Sequence, residues 1–101
     1  MPAGDKGQGA AIVWQKRNDF ISDEIDGEAL LYCTTQHEVI HLNETATVIW
    51  KLCDGTRTSA DITDVLSVHY PEARAEIAAD VSEAISFLLK RGTIEPLPPL
   101  P

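Results

Sequence analysis

The chain has 101 residues, of which 44% are hydrophobic and 24% charged, as is ordinary for one globular domain. Eight Lys and Arg against sixteen Asp and Glu give it a formal net charge of −8 at pH 7. Nucleic acids and anionic membrane surfaces are bound mainly through Lys and Arg, so this charge disfavours both as partners.

Both ends of the chain differ in composition from the middle. Residues 1–11 are rich in Gly and Ala and offer little to bury, so we expect a disordered N-terminal tail. Residues 96–101 are mostly proline, which predicts an extended C-terminal tail and leaves 12–95 as the folded domain.

No signal-peptide core and no apolar run of membrane-spanning length occurs, so we expect a cytoplasmic protein. Cys33 and Cys53 form no CxxC motif and are expected to be buried, reduced thiols.

A hairpin is predicted at the start of the domain. Residues 20–25 and 28–34 are strand-like and flank Asp26-Gly27, a dipeptide typical of tight β-hairpin turns. Acidic residues crowd this segment, and they either form a solvated strand face or attract a basic partner: Asp19, Asp23, Glu24, Asp26 and Glu28.

A short third strand follows at residues 39–42, with Ile40 and Leu42 on one face and Val39 and His41 on the other. No further strand in the sequence is available to pair with its second edge. Unpaired N–H and C=O groups on such an edge are either shielded from pairing with another chain or used for it. An extended peptide could pair with them as a further strand.

Three helices are predicted after the third strand. A cap or a breaker lies at each of their ends: Asn43 and Gly55 for the first, Thr58 and Pro71 for the second, and Gly92 after the third, which spans about Ala75 to Arg91. The order of elements predicts an α+β domain of the winged helix-turn-helix type, in which a three-stranded antiparallel sheet is followed by three helices.

The third predicted helix has an unusually wide apolar face. Its apolar residues span an arc of about 140°, whereas about 100° is enough to face one core. They are Ile77, Ala78, Val81, Ala84, Ile85, Leu88 and Leu89, while Phe87 falls outside the arc. The helix is therefore either packed between two neighbours or borders an open groove beside the third strand.

No catalytic motif is present in the sequence. It contains no HExxH, no GxSxG and no glycine-rich phosphate loop, and the spacing of His37, His41 and His69 suggests no metal site. We therefore expect no enzymatic activity, no metal and no cofactor.

An ordered set of short motifs resembles the PqqD-like family, the coenzyme PQQ synthesis protein D proteins. The resemblance covers about residues 12–95 and rests on five segments: 42–46, 49–58, 66–71, 80–81 and 87–92. It implies a RiPP recognition element, a small winged-helix domain that binds the leader of a ribosomally made precursor peptide. Such a domain presents the peptide to a modifying enzyme, often a radical-SAM enzyme, and we expect it to be a monomer.

The resemblance also implies where the leader would bind. The leader would add as a strand to the third strand and pack against the third helix. Carried over by position, the peptide-binding residues would be Val39, Ile40, His41 and Leu42 on the strand, and Ala78, Val81, Ile85 and Leu89 on the helix.

Two alternatives stay open at this point. Residues 34–38 replace the Pro-Glu-Gly-like turn that PqqD proteins usually carry, so a lasso-peptide pathway is as open as pyrroloquinoline quinone synthesis. A winged-helix transcription regulator is the second alternative. It is disfavoured because residues 58–70, the second predicted helix, contain no Arg or Lys to contact DNA.

Overall fold

The computed structural model describes residues 12–97, so the predicted tail over residues 1–11 lies outside the described residues. The described chain has an α+β fold with two three-stranded antiparallel sheets and three α-helices. In chain order the elements are β1 (Val13–Lys16), β2 (Phe20–Ile25), β3 (Glu28–Cys33), β4 (Val39–Leu42), α1 (Glu44–Leu52), β5 (Asp54–Arg57), α2 (Ser59–Ser67), α3 (Arg74–Lys90) and β6 (Ile94–Leu97). No helix in this part of the chain is both long and apolar enough to span a membrane.

The predicted three-stranded sheet is confirmed, with strand order β2-β3-β4. The turn between β2 and β3 consists of Asp26 and Gly27, whose φ values are +54° and +82°. Asn, Asp and Gly tolerate positive φ best, which is why this dipeptide closes a two-residue hairpin. Strand β4 alternates as predicted, with Ile40 and Leu42 buried and Val39 and His41 exposed.

A second sheet, with strand order β5-β1-β6, was not predicted as such. Its strands have four residues each, and only Cys53 separates the end of α1 from the start of β5, so the Asp54-Gly55 pair that was predicted to stop a helix also starts a strand. The boundary predicted for the C-terminal tail, at residue 96, is also wrong, because residues 96 and 97 belong to β6. Pro96 pairs with Trp14 of β1, and β6 is an edge strand, where a residue without an N–H is tolerated.

The helix caps follow the prediction. Asn43 accepts the Ala46 N–H at 2.8 Å, and Thr58 forms a reciprocal capping box with Asp61. Helix α2 ends at Ser67, earlier than predicted, and a 3₁₀ turn over Pro71–Ala73 leads into α3.

One hydrophobic core lies between the inner face of the β2-β3-β4 sheet and the helices. Its fully buried large side chains include Leu31, Ile40, Leu42, Ile49, Ile62, Val81, Leu88 and Ile94. Both cysteines are free and buried, as expected. Burial raises the pKa of the Cys53 thiol to about 11, so this side chain is a neutral part of the core at physiological pH.

A buried threonine connects β3, β4 and α1. The Ala29 N–H donates to Oγ1 of Thr47 at 3.0 Å, and the Thr47 hydroxyl donates to the Leu42 carbonyl at 3.1 Å. Ala29 and Leu42 are opposite each other in the register of β3 and β4. The hydroxyl thus sits between the last N–H and C=O of this strand pair and ties both strands to α1.

Replacing Thr47 with Val keeps the side-chain shape but leaves the Ala29 N–H and the Leu42 carbonyl buried without this partner. We expect Thr47→Val to lower the free energy of unfolding by about 2–4 kcal/mol, since each such group costs about 1–3 kcal/mol. Thr45→Val, at an exposed position of the same helix, is the control and should change it little. A urea titration monitored by circular dichroism measures both. A loss below about 1 kcal/mol for Thr47→Val would contradict this role.

Candidate functional site

The outer edge of β4 carries unpaired backbone groups. Within residues 12–97, β4 pairs only with β3. The Cys33 N–H donates to the Glu38 carbonyl at 2.9 Å, which identifies the hydrogen-bonded positions of this antiparallel pair. Because such positions alternate along a strand, Ile40 bonds to β3, whereas the N–H and C=O groups of Val39 and His41 face the open edge.

An open groove with a volume of about 400 Å³ lies between this edge and α3. The end of β4 and the start of α1 form one wall, and one side of α3 forms the other. The lining residues are His41, Leu42, Asn43, Thr45 and Ala46 on the first wall, and Asp80, Glu83, Ala84 and Phe87 on α3. The groove therefore combines backbone hydrogen-bonding groups, an apolar floor and two carboxylates.

An ion pair connects the two walls beyond Phe87. Arg91 Nη2 lies 2.6 Å from Oε2 of Glu38, which directly precedes β4. The same guanidinium lies 5.8 Å from the centre of the Phe87 ring, within cation–π range. This contact links the start of β4 to the C-terminal end of α3 and so helps to set the width of the groove.

The structure separates the predicted strand residues into two roles. His41 and Leu42 line the groove, and Val39 and His41 expose their backbone groups at the edge. The side chains of Ile40 and Leu42 are 2% and 1% exposed and belong to the core. Ile40 can therefore contribute to the site only by holding the strand in place.

The predicted helix wall differs from the wall that the structure shows. Val81 and Ile85 are 1% and 6% exposed and pack in the core, and Ala78 and Leu89 are exposed but do not line the groove. The helix is turned so that part of its predicted apolar arc, namely Ile77, Val81, Ile85 and Leu88, faces the core. The adjacent side faces the groove instead, with Asp80, Glu83, Ala84 and Phe87 one helical turn apart.

Sequence reasoning missed Asp80, Glu83 and Phe87 as wall residues. The available signal was Phe87 itself, a large aromatic residue outside the apolar arc of its helix. Its side chain is 39% exposed and lies in the groove. Among the described residues, neither Asp80 nor Glu83 forms an ion pair, so both carboxylates are free to meet a cationic ligand group.

Comparison with known proteins identifies the family. Residues 28–94, well over half of the chain, match the family described as coenzyme PQQ synthesis protein D. The chain belongs to the PqqD family.

Two curated relatives of this PqqD-family chain are the PqqA binding proteins of Rhodopseudomonas palustris strains TIE-1 and HaA2. They are 43% and 41% identical to it over 54 residues, which is 54% of this chain. The match spans about half the length of these relatives, 53% in each case.

Two solved structures share the fold. One is described as TbiB1 in complex with the TbiA(beta) leader peptide, with a TM-score of 0.69, 20% identity and coverage of 80% of this chain and 94% of that one. The other is a lasso peptide synthetase B1 complexed with the leader peptide, also with a TM-score of 0.69, at 22% identity and with coverage of 82% and 98%. None of these four proteins is described as a transcription regulator.

Burial along α3 distinguishes residues that stabilise the core from residues that are exposed. We expect Val81→Ala to lower the free energy of unfolding by about 1–3 kcal/mol, because it removes two buried methyl groups and leaves a cavity. Ala78→Ser changes an exposed position on the same helix and should stay within about 0.5 kcal/mol of the unmodified chain. Urea unfolding of both variants checks this, and equal stabilities would contradict the core position of Val81.

Proposed function

We propose that this chain is a non-catalytic carrier that binds the leader segment of a ribosomally synthesised precursor peptide and presents it to a modifying enzyme. The observation that carries this proposal is the open edge of β4. Backbone groups of Val39 and His41 face outward there, beside a groove that can receive side chains. An extended peptide that added as a strand would satisfy those groups and pack against α3.

The geometry of strand addition defines what such a peptide would contact. Side chains alternate along a strand, so every second peptide residue would enter the groove towards Ala84 and Phe87. Apolar peptide residues suit these contacts, and a Lys or Arg suits the free carboxylates of Asp80 and Glu83. The remaining peptide residues would lie on the opposite face of the sheet, beside the side chains of Val39 and His41.

The names of related proteins support a peptide ligand and suggest two chemical sources. The matched relatives are PqqA binding proteins, and this favours a PqqA-type precursor and a role in PQQ biosynthesis. The two structural neighbours were solved with leader peptides, and this keeps a lasso-type leader as the second candidate. We further propose that the β2-β3-β4 sheet and the three helices that follow it form a winged helix-turn-helix, and that the chain acts as a monomer in the cytoplasm.

The edge is tested by removing one outward N–H. His41→Pro deletes the N–H that faces the open edge but breaks no hydrogen bond to β3. His41→Ala removes the side chain and keeps the N–H, so it is the matched control. With synthetic PqqA of Rhodopseudomonas palustris as the probe, we expect His41→Pro to weaken binding about tenfold or more, and His41→Ala to weaken it much less. Calorimetric titration measures the affinities, and melting curves verify that both variants fold.

Equal affinities of the folded Pro and Ala variants would contradict strand addition at β4. The TbiA(beta) leader serves as a second probe for the lasso-type candidate. If neither peptide binds the unmodified chain, the proposed function itself is wrong.

A further inference from the structure

Strand β2 directs two of its three apolar side chains away from the core of its own domain, while Phe20 at its start packs against that core. Ile21 and Ile25 are 60% and 64% exposed, while Ser22 and Glu24 lie on the inner face of the sheet. The register shows this directly, because Ser22 is opposite the fully buried Leu31. A strand that only covered its own core would have the reverse pattern.

The outer face of the β2-β3-β4 sheet is therefore largely apolar. Ile21 is in register with Tyr32 of β3, which is in turn in register with Val39 of β4. We define the outer face by its eight residues: Ile21, Asp23, Ile25, Glu28, Leu30, Tyr32, Val39 and His41. Antiparallel sheets that face water on one side usually alternate apolar-in and polar-out, whereas β3 carries apolar residues on both faces. Such a surface is typical of a protein-binding site.

The charges around this face indicate what kind of protein would cover it. Asp23 lies between Ile21 and Ile25 and forms no ion pair with another described residue. The only basic side chain of the face is that of His41, whose Nε2 lies 2.7 Å from Oε1 of Glu28. A covering protein with a Lys or Arg opposite Asp23 would be complementary. A second copy of this chain would instead bring the same acidic hairpin and the same net charge of −8.

We propose that the outer face is the docking surface for the peptide-modifying enzyme, which would contribute an apolar patch with a Lys or Arg facing Asp23. That the partner is the modifying enzyme rests on the proposed function. The apolar patch and the basic residue expected of it follow from the exposed isoleucines and from Asp23. The two surfaces are continuous, because a leader strand added to β4 extends the same sheet. Every second leader residue would then lie on the outer face next to Val39 and His41, so one enzyme could contact the carrier and its peptide together.

The first experiment identifies the occupant of the face. Ile21→p-benzoylphenylalanine is introduced into the full chain in the cells that naturally make it, and adducts formed under light are identified by mass spectrometry. We expect an adduct with an enzyme that modifies the precursor peptide. The same cross-linker in Val65→p-benzoylphenylalanine, an exposed position of α2, should give no such adduct. An adduct of the chain with itself, or none with such an enzyme, overturns the proposal.

The second experiment measures the contribution of the face with the purified enzyme found in this way. The double variant Ile21→Thr/Ile25→Thr keeps β-branched side chains but removes the apolar contact, and we expect it to weaken enzyme binding about tenfold. Asp23→Lys should slow association and weaken its salt dependence. The control Val65→Thr/Val68→Thr changes two exposed valines of comparable size and should leave enzyme affinity unchanged.

Leader binding is measured separately for the same variants, so that the two proposals can fail independently. An unchanged leader affinity with a weakened enzyme affinity supports the docking face. Equal enzyme affinities of the face variants and the unmodified chain overturn it, even if the leader binds. Enzyme binding that depends on the face in a chain that binds no leader would overturn the proposed function instead.

Discussion

The hydroxyl group of Thr47 is the contact on which the arrangement of this molecule depends. It accepts a hydrogen bond from the Ala29 N–H and donates one to the Leu42 carbonyl, so one buried side chain fixes the start of β3 and the end of β4 against α1. Strand β4 is thus fixed by its pairing with β3 along one edge and by Thr47 at its C-terminal end. It keeps its position without a partner strand at its other edge. At its other end, the ion pair between Glu38 and Arg91 ties it to α3. A short edge strand that is fixed at both ends and open along its side is preorganised to receive a peptide.

The groove and the outer face are two surfaces of one sheet, and each offers a different kind of contact. At the edge, backbone groups offer affinity that does not depend on sequence, while Phe87, Asp80 and Glu83 offer contacts that do. On the outer face, Ile21 and Ile25 form an apolar surface in an otherwise acidic hairpin. A strand added at β4 would touch both surfaces, because its side chains alternate between them. This geometry suits a carrier that must hold a peptide and a second protein at the same time.

The features that depend only on neighbouring residues, such as turns, helix caps and strand alternation, were predicted correctly from the sequence. The Asp26-Gly27 turn, the Asn43 and Thr58 caps and the alternation of β4 each depend on neighbouring residues, and each was confirmed. The second sheet was missed because its short strands come from distant parts of the chain and pair only in three dimensions. The groove wall was missed for a similar reason. A helical wheel shows that one arc of α3 is apolar, but only packing decides that Val81 and Ile85 face the core and that Phe87 faces the groove.

Amide hydrogen exchange of β4 tests the central claim most directly. With a saturating leader peptide, strand addition predicts that exchange slows by about tenfold or more at the Val39 and His41 amides, whose N–H groups face the open edge. The Ile40 amide, which already bonds to β3, should change far less. This alternating pattern is specific to a new strand at that edge. Binding of the leader with no slowing at Val39 and His41, or with equal slowing at all three amides, would contradict the account.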